Sequence, residues 1–142
     1  INELDSTINT YSYNKSQGVI REIQSISTLP PGFEGENLGA DIHLHPSGSF
    51  LYASNRGHDS LAIYSVDRHT GLLSYVGYQS TYGRTPRNFC IDPFGVLLLV
   101  ANQDSDNVVV FQIDQETGCL EQTGNVATIP QPVCIKMYPV IS

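Results

Sequence analysis

The sequence predicts an all-β protein, a partial β-propeller built from four-stranded antiparallel blades. Three observations carry this expectation: an internal repeat, short β-rich runs inside each repeat, and turn residues at matching places between the runs. Pro46-x-Gly48 and Pro93-x-Gly95 lie 47 residues apart, and the same offset carries Asn55 onto Asn102, Asp67 onto Asp114, Thr70-Gly71 onto Thr117-Gly118 and Leu73 onto Leu120. An offset of 53 aligns the N-terminal stretch, placing Asn2 on Asn55, Tyr11 on Tyr64, Asn14 on Asp67 and Gly18 on Gly71. The difference of six residues falls around Pro30-Pro31-Gly32-Phe33-Glu34-Gly35, a loop insertion between repeats. Periods of this length belong to solenoids, propellers and related arrays. No window places apolar residues at helical spacing over three turns, which excludes helical repeats.

Taken in chain order, residues 1–28 are expected to hold the last three strands of one blade. Residues 40–81 form a full blade, with runs at 41–45, 49–55, 60–67 and 72–80 rich in Val, Ile, Leu, Tyr and Phe. Residues 87–128 form a second, with runs at 88–92, 96–101, 107–114 and 120–128. Pro-x-Gly makes the first hairpin turn of each, because Pro presets φ and Gly accepts a positive one. The segments Asp67-Arg68-His69-Thr70-Gly71 and Asp114-Gln115-Glu116-Thr117-Gly118 make another. The stretch 97–100 is apolar throughout, as a strand covered on both faces should be. Pro132 echoes Pro86, so residues 133–139 are expected to open a further blade. Four antiparallel strands per unit define a propeller blade, and roughly 4–8 blades are needed to close a ring. The remaining blades of a larger protein, or copies of this chain, are therefore the expected partners.

Composition bounds the function. The chain has 142 residues, 40% hydrophobic and 15% charged, with a net charge of −7. Such a charge argues against nucleic acid as a partner. No apolar run reaches the roughly 18–20 residues of a membrane span, so no membrane is expected either. Glu3 and Asp5 stand where a secretion signal would need an apolar core, and the start at Ile1 points to a missing native N-terminus. Three widely spaced cysteines (Cys90, Cys119, Cys134) fit a reduced, cytoplasmic protein, with Cys90 and Cys134 as small buried packing residues.

Blade geometry suggests where chemistry gathers. The innermost strand of a blade leaves one rim and the second returns to it, so the start of the first and the end of the second meet on one face. Asp41, His43 and Arg87 begin first strands; Glu3, Arg56 and Gln103 end second strands. Glu3, Arg56 and Gln103 are equivalent by the two offsets, and each follows a constant Asn (Asn2, Asn55, Asn102). A position that varies among Glu, Arg and Gln in a constant frame is chosen for a ligand. Structural readings stand beside this one: Arg56 can pair with Glu3 or Asp59, and His43 can bond within its own strand. His45, His58 and His69 read as turn or surface residues. His43-x-His45 lacks an assured third ligand, and the segment Gln103-Asp104-Ser105-Asp106-Asn107 lacks the glycine and terminal Glu of a calcium loop, so no metal is expected.

Five motifs resemble the seven-bladed propeller lactonases, a family that includes propeller-type 6-phosphogluconolactonases and carboxy-cis,cis-muconate cyclases. They are Asn2-Glu3-Leu4, Ala40-Asp41-Ile42-His43, Tyr52-Ala53-Ser54-Asn55-Arg56-Gly57, Pro86-Arg87-Asn88-Phe89 and the run from Val100 to Asn107. The resemblance runs along essentially the whole chain, as the C-terminal portion of a member. It implies a lactonase without cofactor or metal, using a His, Glu and Arg assembly carried here by Glu3, His43, Arg56 and Arg87. Asp41, Asn55, Asn88 and Gln103 are the expected substrate-binding residues. The favoured reaction is hydrolysis of 6-phosphogluconolactone to 6-phosphogluconate, a step of the pentose phosphate pathway. The alternatives are a muconate-lactonising cyclase and a non-catalytic binding scaffold. A guanidinium suits an anionic lactone because it stabilises the developing oxyanion or grips an acid group bidentately.

Overall fold

Over residues 1–138, which the computed structural model describes, ten strands form three antiparallel sheets. Strands β1 (Thr7–Asn14) and β2 (Val19–Ser27) pair as a hairpin. A four-stranded meander follows from β3 (Leu38–Leu44), β4 (Phe50–Arg56), β5 (Ser60–Val66) and β6 (Leu73–Ser80). A second comprises β7 (Pro86–Ile91), β8 (Leu97–Asn102), β9 (Asn107–Ile113) and β10 (Leu120–Thr128). One turn of 3-10 helix, Gln103–Ser105, joins β8 to β9 at the polar segment where sequence reading places a tight turn.

The repeat extends to the backbone. Ser6, Asp59 and Asp106, related by the same two offsets, all adopt the left-handed region with φ of 51, 51 and 53 degrees. The outer turns are built alike. The Asp67 carboxylate accepts from the His69 and Thr70 amides, and the Asp114 carboxylate from Glu116 and Thr117. Those bonds, Thr70's and Thr117's foremost, hold both carboxyls below their ordinary pKa.

Packing follows from alternation along β4 and β5. Tyr52 opposes Ile63 on one face, and Ala53 opposes Ala62 on the other. Phe50, Tyr52, Leu61 and Ile63 bury against Phe89, Leu98, Val100, Phe111 and Leu120 of the next sheet. The other face carries Ala53, Ala62 and Tyr64 onto Ile8 and the partly buried Ile26 of the hairpin. Each large apolar side chain so enclosed contributes about 1.5–3 kcal/mol.

Polar pins fix how the sheets stack. Asn55 donates from Nδ2 to the Thr28 carbonyl (2.6 Å) and accepts from the Thr28 hydroxyl (2.7 Å). One repeat on, Asn102 Nδ2 donates to the Thr81 carbonyl (3.0 Å). Tyr64 donates its hydroxyl to the Ser27 carbonyl (2.6 Å) and Tyr52 to the Gly118 carbonyl (2.8 Å); burial raises both phenol pKa values. His45 is a turn residue as expected, yet it is buried rather than on the surface. Its Nδ1 accepts from the Ser47 amide (3.1 Å), so Nε2 carries the proton and donates to the Gly95 carbonyl (2.8 Å).

Three expectations are corrected. Residues 1–28 hold two strands rather than three: residues 3–6 turn, and the third strand shrinks to the bridge Asn2–Thr7. Residues 133–138 form no strand, because among the described residues no neighbour offers them a ladder; position 139 lies outside those residues. Cys134 is exposed and Cys90 half-buried, so neither is a core packing residue.

Gly48 and Gly95 occupy the same turn position with φ of 74 and 72 degrees, yet a Cβ at Gly48 meets nothing, whereas one at Gly95 would lie 2.4 Å from His45 Nε2. Gly48→Ala should therefore cost about 1–2 kcal/mol, the left-handed penalty alone. Gly95→Ala should cost roughly 2–4 kcal/mol, because it also displaces the His45 bond. Equal losses in denaturant titrations would show that His45 does not hold the two sheets together.

Candidate active site

The starts of the two inner strands are irregular in the same way. In β3, Gly39 stands opposite Asn55 and Ile42 opposite Ala53; in β7, Pro86 stands opposite Asn102 and Asn88 opposite Ala101. Each inner strand thus carries one extra residue, a bulge of the kind that re-aims side chains. Ala40 and Arg87 occupy the two bulges at equivalent positions. The extra residue at 87 turns its guanidinium to the rim, where it is exposed and, among the described residues, without an ion-pair partner.

Arg56 closes β4 beside it. Its Nη2 donates to the Gly39 carbonyl (3.1 Å) and forms an ion pair with Glu3 Oε1. The Arg56 side chain is 13% exposed and its buried Nε has no partner among the described residues. Glu3 reaches it because the N-terminal segment is sewn to β3. Gly39 N donates to the Glu3 carbonyl (2.9 Å), and a Cβ on Gly39 would lie 2.9 Å from the Asn2 carbonyl oxygen. Only glycine admits that approach. Ile1, Glu3, Gly39, Ala40, Arg56 and Arg87 together line a cleft of about 360 Å³. Arg56 is also part of the wall of a larger cleft, about 760 Å³, whose lining includes Asp5, Glu36 and Asp104.

The remaining candidates lie elsewhere. His43 stands three residues beyond Ala40, about 10 Å further along β3. Its ring packs edge-on against Phe89 at 4.8 Å, and Nε2 faces Asp41 Oδ2 at 3.0 Å. Asp41 Oδ2 also accepts from Asn88 Nδ2 (2.5 Å) and the Phe89 amide (3.2 Å), while Oδ1 accepts from Ile42 N (2.9 Å). Burial pushes the Asp41 carboxyl up, but the bonds from His43, Phe89 and Ile42 outweigh it and hold the pKa below its ordinary value.

Like Asp41, the other expected substrate-binding residues, Asn55, Asn88 and Gln103, do not line the cleft. Asn55 is fully buried with its amide committed to Thr28, so it serves packing between sheets. Asn88 is occupied at both ends, by Asp41 and by the Ile135 amide (2.6 Å). Gln103 does not line the cleft, because it opens the 3-10 turn with Oε1 buried and unpartnered among the described residues. Sequence reading missed the Gly39 carbonyl and Ala40; the 47-residue offset from Arg87 was the signal that could have found Ala40. Among the described residues, no three His, Cys, Asp or Glu side chains gather as a metal-ligand set.

The family model described as "Lactonase, 7-bladed beta-propeller" matches residues 1–137. A 6-phosphogluconolactonase of Bacillus subtilis is 38% identical over 134 residues, covering 94% of this chain and 38% of the relative. Among solved structures, the periplasmic gluconolactonase of Pseudomonas aeruginosa superposes with a TM-score of 0.89 at 32% identity, covering 94% of this chain and 37% of that one. A Lactobacillus plantarum protein does so with a TM-score of 0.89 at 34% identity, covering 93% and 38%. The chain thus spans little more than a third of the length of these relatives.

A lowered carboxyl contributes stability above its unfolded pKa and loses it as pH falls through the folded one. The Asp41 network should therefore stabilise fully above about pH 4 and weaken on further acidification. Asp41→Asn should lose less stability than the native chain between about pH 6 and pH 3 in urea titrations. Parallel losses in both proteins would contradict the charged network.

Proposed function

Because the chain belongs to the seven-bladed β-propeller lactonase family, we propose that it forms a sector of such a ring and carries part of a lactone-hydrolysing site. The proposed substrate is an anionic sugar lactone, with 6-phosphogluconolactone, a pentose phosphate pathway intermediate, as the leading case. The observation that carries this reading is the convergence of Glu3, Arg56 and Arg87, one from each successive sheet unit, on a single cleft.

The three side chains divide the work by their surroundings. Arg87, with no ion-pair partner among the described residues, is the anchor for the substrate's acid group, which a guanidinium grips in two places. Arg56 is pre-aimed by Glu3 and the Gly39 carbonyl, and its guanidinium, on the wall of the cleft, faces the lactone carbonyl oxygen. Water attacks the carbonyl carbon, the oxygen gains charge and the guanidinium stabilises it. Either Glu3, which lines the same cleft, or His43, further along β3, takes the proton from the attacking water and returns it to the ring oxygen as the C–O bond breaks, which balances the hydrolysis. Glu3 is engaged by Arg56, which leaves His43 the base of the two that is free of an arginine partner. The ligand then extends from the rim guanidinium groups along β3 towards the imidazole. The free thiols of Cys90, Cys119 and Cys134 fit a reducing cytoplasm as the setting.

The test is 6-phosphogluconolactone hydrolysis by the ring that contains this chain. Arg56→Ala should lower kcat/KM by about 100-fold or more, as loss of an oxyanion donor does. Arg87→Ala should act chiefly by raising KM. Activity within a few-fold of the parent in both variants would sink the assignment.

A further inference from the structure

The Asp41–His43 pair has a counterpart one repeat later that separates structural duty from chemistry. Asp41 corresponds to Asn88, and His43 to Cys90, at the 47-residue offset. Both first members play the same structural part. Each side chain accepts a backbone amide of the next inner segment, Asp41 from Phe89 (3.2 Å) and Asn88 from Ile135 (2.6 Å). A neutral amide therefore suffices to hold one inner segment against the next. The carboxylate stands where the residue two positions on is a histidine. Where that residue is a cysteine, the carboxylate is replaced.

The bonding of the pair sets the proton. Asp41 receives donors from Ile42, His43, Asn88 and Phe89. An ionised carboxylate only accepts, so the nitrogen facing it, Nε2 of His43, must carry hydrogen. Among the described residues Nδ1 has no hydrogen-bond partner, and the His43 side chain is 35% exposed. We propose that Asp41 is a positioning residue that holds His43 in the Nε2–H tautomer and leaves Nδ1 as its basic nitrogen, turned from the carboxylate and free for a proton. The same carboxylate bonds two groups of Asn88 and Phe89, which follow Arg87 in the chain, so it also ties the imidazole to the strand that presents the guanidinium.

The tautomer part stands on the hydrogen bonds alone; the catalytic consequence rests on the lactonase reading above. Long-range ¹H–¹⁵N spectra of the chain report which ring nitrogen is protonated, and His45, fixed as Nε2–H by Ser47 and Gly95, is a reference in the same spectrum. His43 is expected as Nε2–H in the native chain and as a tautomer mixture in Asp41→Ala. Asn88→Ala removes another donor to the same oxygen and should leave the His43 tautomer unchanged. Nδ1–H in the native chain, an unchanged tautomer in Asp41→Ala, or equal loss in both variants would overturn the proposal. The native-chain spectrum decides even where Asp41→Ala fails to fold. Within the ring, Asp41→Ala should also lower lactone-hydrolysis kcat about tenfold or more, with KM nearly constant. A tautomer that collapses without any change in kcat would uphold Asp41 as the positioning group and remove His43 from the hydrolytic step.

Discussion

The face-to-face stacking of one twisted four-stranded sheet on the next is the constraint from which the rest of this molecule follows. Stacking demands that the middle strands be apolar on both sides, and β4, β5, β8 and β9 meet that demand. Apolar packing alone leaves sliding and rotation nearly free, because it has no direction. Direction comes from hydrogen bonds placed near the edges of the apolar layer. Asn55 and Asn102 serve one end, and His45 and Tyr52 serve the other. Each of these donates to a backbone carbonyl, so the contact depends on where the neighbouring chain runs and not on which side chain it carries.

That division explains what could be read before the structure. The architecture was legible because repetition multiplies weak signals: a single Pro-x-Gly is only a turn, but two at a constant offset with matching Asn, Asp and Gly set a unit. The candidate rim was legible in part. Glu3 and Arg56 share the cleft because they occupy equivalent places in the repeat, although Glu3 sits in a turn and Arg56 at the end of a strand. Gln103 holds the same place in the alignment yet folds into a 3-10 turn, since the segment after it carries Asp104 and Ser105 instead of Gly57. Asn55 illustrates the opposite failure. A constant polar residue beside a variable rim looks like part of a site, but its constancy reflects a buried bond to a carbonyl. The bulges were invisible, because one extra residue in a strand leaves no mark on composition.

The site inherits its geometry from the same stacking. Two of the charged contacts at this rim cross from sheet to sheet: Glu3 reaches Arg56 across one boundary, and Asp41 reaches Asn88 and Phe89 across the next. The angle between sheets therefore sets the distance between charges. Rigidity in the apolar layer becomes precision at the rim, which is what pre-aimed electrostatic stabilisation requires.

The bulge shared by β3 and β7 has one more consequence. It supplies an address on each inner strand, occupied here by Ala40 and Arg87, where the backbone hydrogen bonds and the buried pins are indifferent to the side chain. Together with the rim address held by Glu3 and Arg56, this makes the cleft wall a set of sockets in a fixed mount. Exchanging the group in one socket alters what the cleft attracts while the mount stays put, so new ligand preferences are reachable by single replacements that never pass through an unfolded intermediate design.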